Sequence, residues 1–287
     1  MCDEFIHPGL VEDPRLSRRT FSVMTVAAAA VASTAHAQAN VVEKDVEVKT
    51  PDGNCDAVLY YPGSQRTGSA VLIWTDIMGL RPAFRDMGRR LAAEGHVVLV
   101  PNPFYRSARA PVIGPTFDFN NPEQRNRLFG YRAAMKDDGI DRDAVAYLEF
   151  LDAQPQTDKS KKAGVQGYCM GGSMTFRTAA ALPSRIGAVG SFHGGNGLVT
   201  KDADSPHLLI PKTNATFLVC QAQNDDMMQP TVKDDLKAAF EAAHKPATVE
   251  VYHANHGWCV PGGQVYNMAE AERAWTALGR LYKSALV

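Results

Sequence analysis

The stretch Ala163-Gly164-Val165-Gln166-Gly167-Tyr168-Cys169-Met170-Gly171-Gly172 decides how the chain is read. Residues 163–166 suit a short buried strand, and residues 173–182 carry helical periodicity. Between them the chain must turn sharply. A side chain at the apex of such a strand-to-helix turn has strained backbone angles, so the residues two positions away must be small. Gly167 and Gly171 stand at those positions, which makes Cys169 the candidate nucleophile. The following helix would aim backbone N–H groups and a positive partial charge at its thiolate. The competing reading of this segment alone is a Gly-rich turn around a structural cysteine.

Working outward, residues 41–49 alternate apolar and charged side chains, as a half-exposed strand does. Asp52-Gly53 signals a turn, and residues 55–61 read as the hairpin partner. Ala70-Val71-Leu72-Ile73-Trp74 and His96-Val97-Val98-Leu99-Val100 are short apolar runs suited to strands buried on both faces. A helix over 83–94, closed by Gly95, separates them. Residues 104–138 read as an irregular excursion with a short helix, and 139–151 as an amphipathic helix. Strands follow at 186–192, 216–220 and 248–252, with helices over 232–243 and 270–286. This alternation predicts an α/β fold: a mostly parallel sheet with helices on both faces. Ligands of such sheets bind beyond the C-terminal ends of the strands, where Cys169 falls.

A nucleophile needs a base, and the base needs an orienting acid. In elbows of this kind the chain order is nucleophile, acid, histidine. His256, in Ala254-Asn255-His256-Gly257-Trp258 directly after the last predicted strand, is the favoured base. His253 is its nearest competitor, while His207 and His244 read as surface residues. His193, in Phe192-His193-Gly194-Gly195, also ends a strand and is a candidate pocket residue. The acid belongs to Gln221-Ala222-Gln223-Asn224-Asp225-Asp226-Met227-Met228-Gln229-Pro230. Asp226 is favoured because it stands four residues before Pro230, a spacing that resembles related hydrolases, and Asp225 is the alternate. The oxyanion hole takes the N–H of Met170 and one from the loop Thr75-Asp76-Ile77-Met78-Gly79-Leu80, with Ile77 the expected donor.

The whole chain sets outer bounds. Its 287 residues suit one large catalytic domain; 45% are hydrophobic and 21% charged, which supports an ordinary globular core. The net charge is −1 with Lys and Arg dispersed, which gives no nucleic-acid signature. The first residues differ. Arg18-Arg19-Thr20-Phe21, a soft apolar stretch over 23–32 and Ser33-Thr34-Ala35-His36-Ala37 have the layout of a cleaved secretory leader. The paired arginines resemble a twin-arginine signal. Residues 1–37 are expected to be that leader and 38–287 a single domain acting in the periplasm or outside the cell, with no membrane span in the mature form. Of the five cysteines, Cys2 would leave with the leader. Cys220 reads as core, and Cys55 and Cys259 as either free or paired. Oligomeric state is not readable.

Three segments carry a family resemblance: Asp76-Ile77-Met78-Gly79, Gly167-Tyr168-Cys169-Met170-Gly171-Gly172 and His256-Gly257-Trp258, with Asn102-Pro103-Phe104-Tyr105 beside them. In order and spacing they resemble the dienelactone hydrolase family of the α/β-hydrolase fold. The resemblance implies a Cys-His-Asp triad of Cys169, His256 and Asp226. It implies hydrolysis of an ester or enol-lactone through a thioester acyl-enzyme, without metal or cofactor. The family usually has Glu where this chain has Asp76, so Asp76 is the implied thiol-activating carboxylate, one methylene shorter. Trp258 and Tyr105 are implied pocket residues. The family archetype binds its substrate carboxylate with arginines, one of which lies four residues after the catalytic His; here that position is Val260. Arg81 and Arg106 are the candidates to replace it. Two other function classes stand beside this one: a binding protein on a hydrolase fold whose catalysis has lapsed, and a thiol redox protein.

Overall fold

A computed structural model describes residues 40–64 and 66–287. The expected leader and Cys2 lie outside the described residues. Among the described residues, eight strands form one sheet in the order β1-β2-β4-β3-β5-β6-β7-β8. The first two, β1 (Val41–Thr50) and β2 (Gly53–Pro62), make the expected hairpin at the sheet edge. β2 runs antiparallel to its inner neighbour, and every later pairing is parallel. The remaining strands are β3 (Ala70–Trp74), β4 (Val97–Pro101), β5 (Ala163–Tyr168), β6 (Ile186–Phe192), β7 (Thr216–Ala222) and β8 (Ala247–Tyr252). Helix α1 (Pro82–Ala93) follows β3. Helices α2 (Pro122–Ala134) and α3 (Asp137–Asp152) precede β5, and α4 (Met170–Ala181) follows it. Helices α5 (Gln223–Met228) and α6 (Val232–Ala242) lie between β7 and β8, and α7 (Met268–Ala285) ends the chain.

The apolar runs read as doubly buried strands are so. All five residues of β3 are fully buried, and alternate side chains serve opposite faces. Ala70, Leu72 and Trp74 join the core beneath α3, α4 and α6, with Tyr147, Phe176 and Phe240. Val71 and Ile73 join the core beneath α1 and α7, with Phe84, Leu278 and Tyr282. Burying each of these large apolar side chains contributes about 1.5–3 kcal/mol, and the two cores together hold the parallel strands in register. Cys55, Cys169, Cys220 and Cys259 are all free thiols, so the possible Cys55–Cys259 pairing is not made. Cys55 instead donates to the Asn102 carbonyl and accepts from the Tyr147 hydroxyl. Among the described residues, no helix is long and apolar enough to cross a membrane.

Two elements differ from expectation. The excursion carries a full 13-residue helix, α2, opened by Asn121, whose side chain accepts from the Glu123 and Gln124 N–H groups. Its low apolar content hid its length, since only Leu128 is buried. The segment after β7, for which no helix was expected, forms α5, and that bears directly on Asp225 and Asp226.

Candidate active site

The ends of β5, β6 and β7 are laced together just past the regular ladder. The Cys169 N–H donates to the Phe192 carbonyl (3.0 Å), that of His193 to the Cys220 carbonyl (2.8 Å) and that of Gln223 to the Ala254 carbonyl (3.0 Å). Each bond carries the ladder beyond a strand end. Together they bring Cys169, His193, the start of α5 and the loop of His256 into one row on the C-terminal edge of the sheet.

Cys169 sits at the apex with φ 54° and ψ −119°, the N-cap of α4. A non-glycine residue there costs about 1–3 kcal/mol and needs its surroundings to hold it. Those surroundings leave no room for side chains at the flanking glycines. A Cβ on Gly167 would lie 2.1 Å from the Gly171 carbonyl oxygen, and one on Gly171 would lie 2.6 Å from the carbonyl oxygens of Trp74 and Thr75. The elbow is thus wedged backbone to backbone against the end of β3. This contact also sets the loop after β3 beside the start of α4. The N–H groups of Met170 and Ile77 meet no acceptor among the described residues.

His256 and Asp225 form the second half of the site. The His256 Nδ1 lies 2.7 Å from Asp225 Oδ2, and the aspartate side chain is only 7% exposed. The His256 N–H donates to the Asn224 side-chain oxygen (2.7 Å), and the Gln223 amide donates to that of Asn255 (3.1 Å). These bonds staple the histidine loop to α5. Burial opposes charging of the imidazole, but hydrogen bonds to Asp225 and Cys169, with the negative charge on both, push its pKa up to about 10. Asp226, favoured from its spacing to Pro230, does not face His256. Its carboxylate pairs with Lys233 (2.7 Å). The physical reason is α5: consecutive residues on a helix point about 100° apart, so one of two adjacent aspartates faces the site and the other turns away. A Cβ on Gly195 would sit 3.1 Å from Asp225 Oδ2, so that glycine leaves space for the carboxylate. Asn224, Asn255 and Gly195 are the site-building residues that sequence reading missed. Their one visible signal was their place beside Asp225, His256 and His193 in the segments after β7, β8 and β6.

His193 and Trp258 join the site as supports. The His193 Nδ1 accepts from the Cys169 N–H (3.1 Å), which places the ring proton on Nε2. Burial, and then the charge of His256, hold its pKa well below the usual histidine range, so the ring stays neutral. It packs edge-on against His256, with ring centroids 4.9 Å apart, and against Trp258 at 5.1 Å. Trp258 is fully buried and stacks on Tyr252, beneath the histidine loop rather than open to a ligand.

Other expected pocket residues are engaged elsewhere. The Tyr105 hydroxyl bonds Thr50 (2.6 Å) and the buried Asp143 (2.8 Å). Arg106 is spent on Asp143 and Asp52. Asp76 bonds both arms of Arg81, at 2.6 and 2.7 Å, and the Met78 N–H, rather than the Cys169 thiol. Arg81 is therefore already paired with a carboxylate. Val260 is buried.

This sheet, elbow and order of elements define an α/β-hydrolase fold. The sequence profile of the dienelactone hydrolase family matches residues 55–286. The chain belongs to that family and is a hydrolase of it. It is 29% identical to a carboxymethylenebutenolidase of Rhodococcus opacus over 206 residues, covering 71% of this chain and 76% of the other. It is 26% identical to a putative carboxymethylenebutenolidase of Escherichia coli K12 over 219 residues, 74% of this chain and 76% of the other. A crystal structure of a putative dienelactone hydrolase from Klebsiella pneumoniae superposes with a TM-score of 0.74 at 20% identity, covering 85% of this chain and 99% of that one.

Two outcomes are expected from this geometry. Asp225→Asn lowers the ester-hydrolysis rate about 10²- to 10⁴-fold, whereas Asp226→Asn leaves it within a few-fold, as measured by initial rates on an aryl ester. Because the folded-state pKa of His256 is raised, its stabilising contribution is complete below about pH 6.5, the unfolded value, and is lost as pH rises through about 10. The gap in thermal midpoint between wild type and His256→Gln therefore narrows across that window. A gap that widens with pH contradicts the assignment.

Proposed function

We propose that the chain hydrolyses a carboxylic ester or enol-lactone through a thioester formed on Cys169. The observation that carries the reading is the Asp225–His256 hydrogen bond beside a cysteine strained at a strand-to-helix elbow. In this reading His256 takes the proton of the Cys169 thiol, and the resulting imidazolium is the charge partner of the thiolate. The sulfur attacks the ester carbonyl, and the oxyanion is received by the N–H groups of Met170 and Ile77. The His256 proton passes to the leaving alkoxide as the tetrahedral intermediate collapses to the thioester. The neutral ring then takes a proton from water, which attacks the thioester; collapse expels the thiolate and frees the acid. Asp225 holds the ring in the Nδ1–H tautomer throughout, with Nε2 toward the sulfur.

The same site supports a small uncharged or weakly charged substrate more than the anionic substrate of the family archetype at the two arginines considered, since Arg81 and Arg106 are both paired with carboxylates. Cys169→Ala is expected to abolish turnover of aryl and lactone esters while the protein stays folded. An alanine variant that hydrolyses at the wild-type rate rules out the thioester route. We further propose that residues 1–37 direct export by a twin-arginine route, on the strength of Arg18-Arg19 and the small-residue ending at Ala37. Replacing both arginines with lysine is expected to leave a fused reporter in the cytoplasm; unchanged export rejects that route.

A further inference from the structure

The loop between β3 and α1 contains a feature that the proposed reaction does not use. Asp76 and Arg81 are both largely buried, with side chains 8% and 12% exposed. Removing two charges from water costs several kcal/mol per ion, and only near-ideal geometry recovers it. Here the geometry is bidentate: Arg81 Nη1 meets Asp76 Oδ1 at 2.6 Å and Nη2 meets Oδ2 at 2.7 Å. The remaining capacity of both groups is directed into the loop itself. Asp76 Oδ1 also accepts the Met78 N–H (2.9 Å), and Arg81 Nη1 also donates to the Gly79 carbonyl (3.2 Å). The Gly79 N–H returns to the Asp76 carbonyl (2.9 Å). The Arg81 guanidinium lies 5.0 Å from the centre of the Phe84 ring, on the first turn of α1.

These bonds close a ring around Ile77. The N–H groups on its far side, Met78 and Gly79, are consumed, while that of Ile77 meets no acceptor among the described residues. The ring stands against the elbow, because the Thr75 and Trp74 carbonyls block any side chain at Gly171. We propose that Asp76 and Arg81 are positioning residues: an ion-pair clamp that fixes the direction of the Ile77 N–H toward the oxyanion, without acting on the Cys169 thiol. The proposal rests on the thioester reading above and deepens it. Its physical content is that a short loop would otherwise rotate its peptide planes freely. An oxyanion donor that must reorganise during reaction is worth far less than one already aimed.

The test compares two reactions of one sulfur. Ester hydrolysis needs the oxyanion donors, whereas alkylation of Cys169 by iodoacetamide does not. Arg81→Gln and Asp76→Asn are each expected to lower kcat about 10- to 100-fold with KM within about twofold, because the lost interaction acts in the transition state. The double variant is expected to fall no further than the worse single one, since the pair acts as one unit. Arg81→Lys, which keeps the charge but loses the second arm, is expected to lie between. The alkylation rate is expected to stay within about threefold of wild type in all of them, an order-of-magnitude margin for a thiol whose own partners are intact. If Asp76→Asn slows alkylation as much as hydrolysis, Asp76 acts on the thiol and the clamp is wrong. If Arg81→Gln hydrolyses at the wild-type rate, the clamp is equally wrong. Thermal unfolding is read alongside; should Arg81→Gln not fold, Arg81→Lys and Asp76→Glu supply the same ratio of hydrolysis to alkylation. An inactive Cys169→Ala with fully active clamp variants rejects the clamp alone, while an active Cys169→Ala rejects the underlying reading.

Discussion

The close approach of the elbow to the end of β3 is the constraint on which the rest of the site depends. Cys169 holds a backbone conformation that few side chains tolerate, and it does so because β5 is packed on both faces, by Ala163 and Val165 in one core and Tyr168 in the other, while Met174, Phe176 and Ala179 anchor α4 in the first. With no side chain possible at Gly167 or Gly171, the backbone of β3 can come within contact of the α4 N-terminus. That single approach sets Cys169, the Met170 N–H and the loop carrying Ile77 in one place. A methyl group at Gly171 would separate them, at a cost of about 1–3 kcal/mol in stability from overpacking alone.

The remaining parts reach Cys169 through backbone hydrogen bonds rather than through long side chains. The bonds past the ends of β5, β6 and β7 act as steps from Cys169 to His193, then to α5, then to the histidine loop. Each step is short and repeats the parallel ladder, so positional error accumulates little across the row. Neutral His193 adds a side-chain brace, since it accepts from the N–H of Cys169 itself and packs on the ring of His256. Its burial matters here. A charged ring at this point would repel a protonated His256, whereas a neutral one leaves the Asp225 and Cys169 interactions to dominate.

Charged groups near the site are arranged largely as closed pairs. Asp76 with Arg81, Asp226 with Lys233, and Arg106 with Asp143 and Asp52 each satisfy one another. Asp225 is the exception that matters, because its partner is the ring of His256. Adjacent residues in sequence, Asp225 and Asp226, thus belong to different electrostatic environments. The helical geometry of a six-residue segment separates them.

The alternation of apolar runs with amphipathic helices was enough to determine the α/β architecture. Strands β3 and β6 run over the residues expected, because each is a short, wholly buried run, apolar throughout in β3 and broken only by Ser191 in β6. The elbow was equally legible, since steric exclusion at such a turn writes itself into sequence as Gly-x-Cys-x-Gly. That an aspartate after β7 would meet a histidine after β8 followed from topology. What only the tertiary structure decided was which neighbour each charge would meet. Nothing local distinguishes Asp225 from Asp226, or tells whether Asp76 turns to a thiol or to Arg81. Those outcomes depend on helix phase and on contacts between segments far apart in the chain, and a side chain's charge records neither. Tyr105 is the same lesson in an uncharged group: its position after β4 was readable, but its partners Thr50 and Asp143 come from a distant strand and helix.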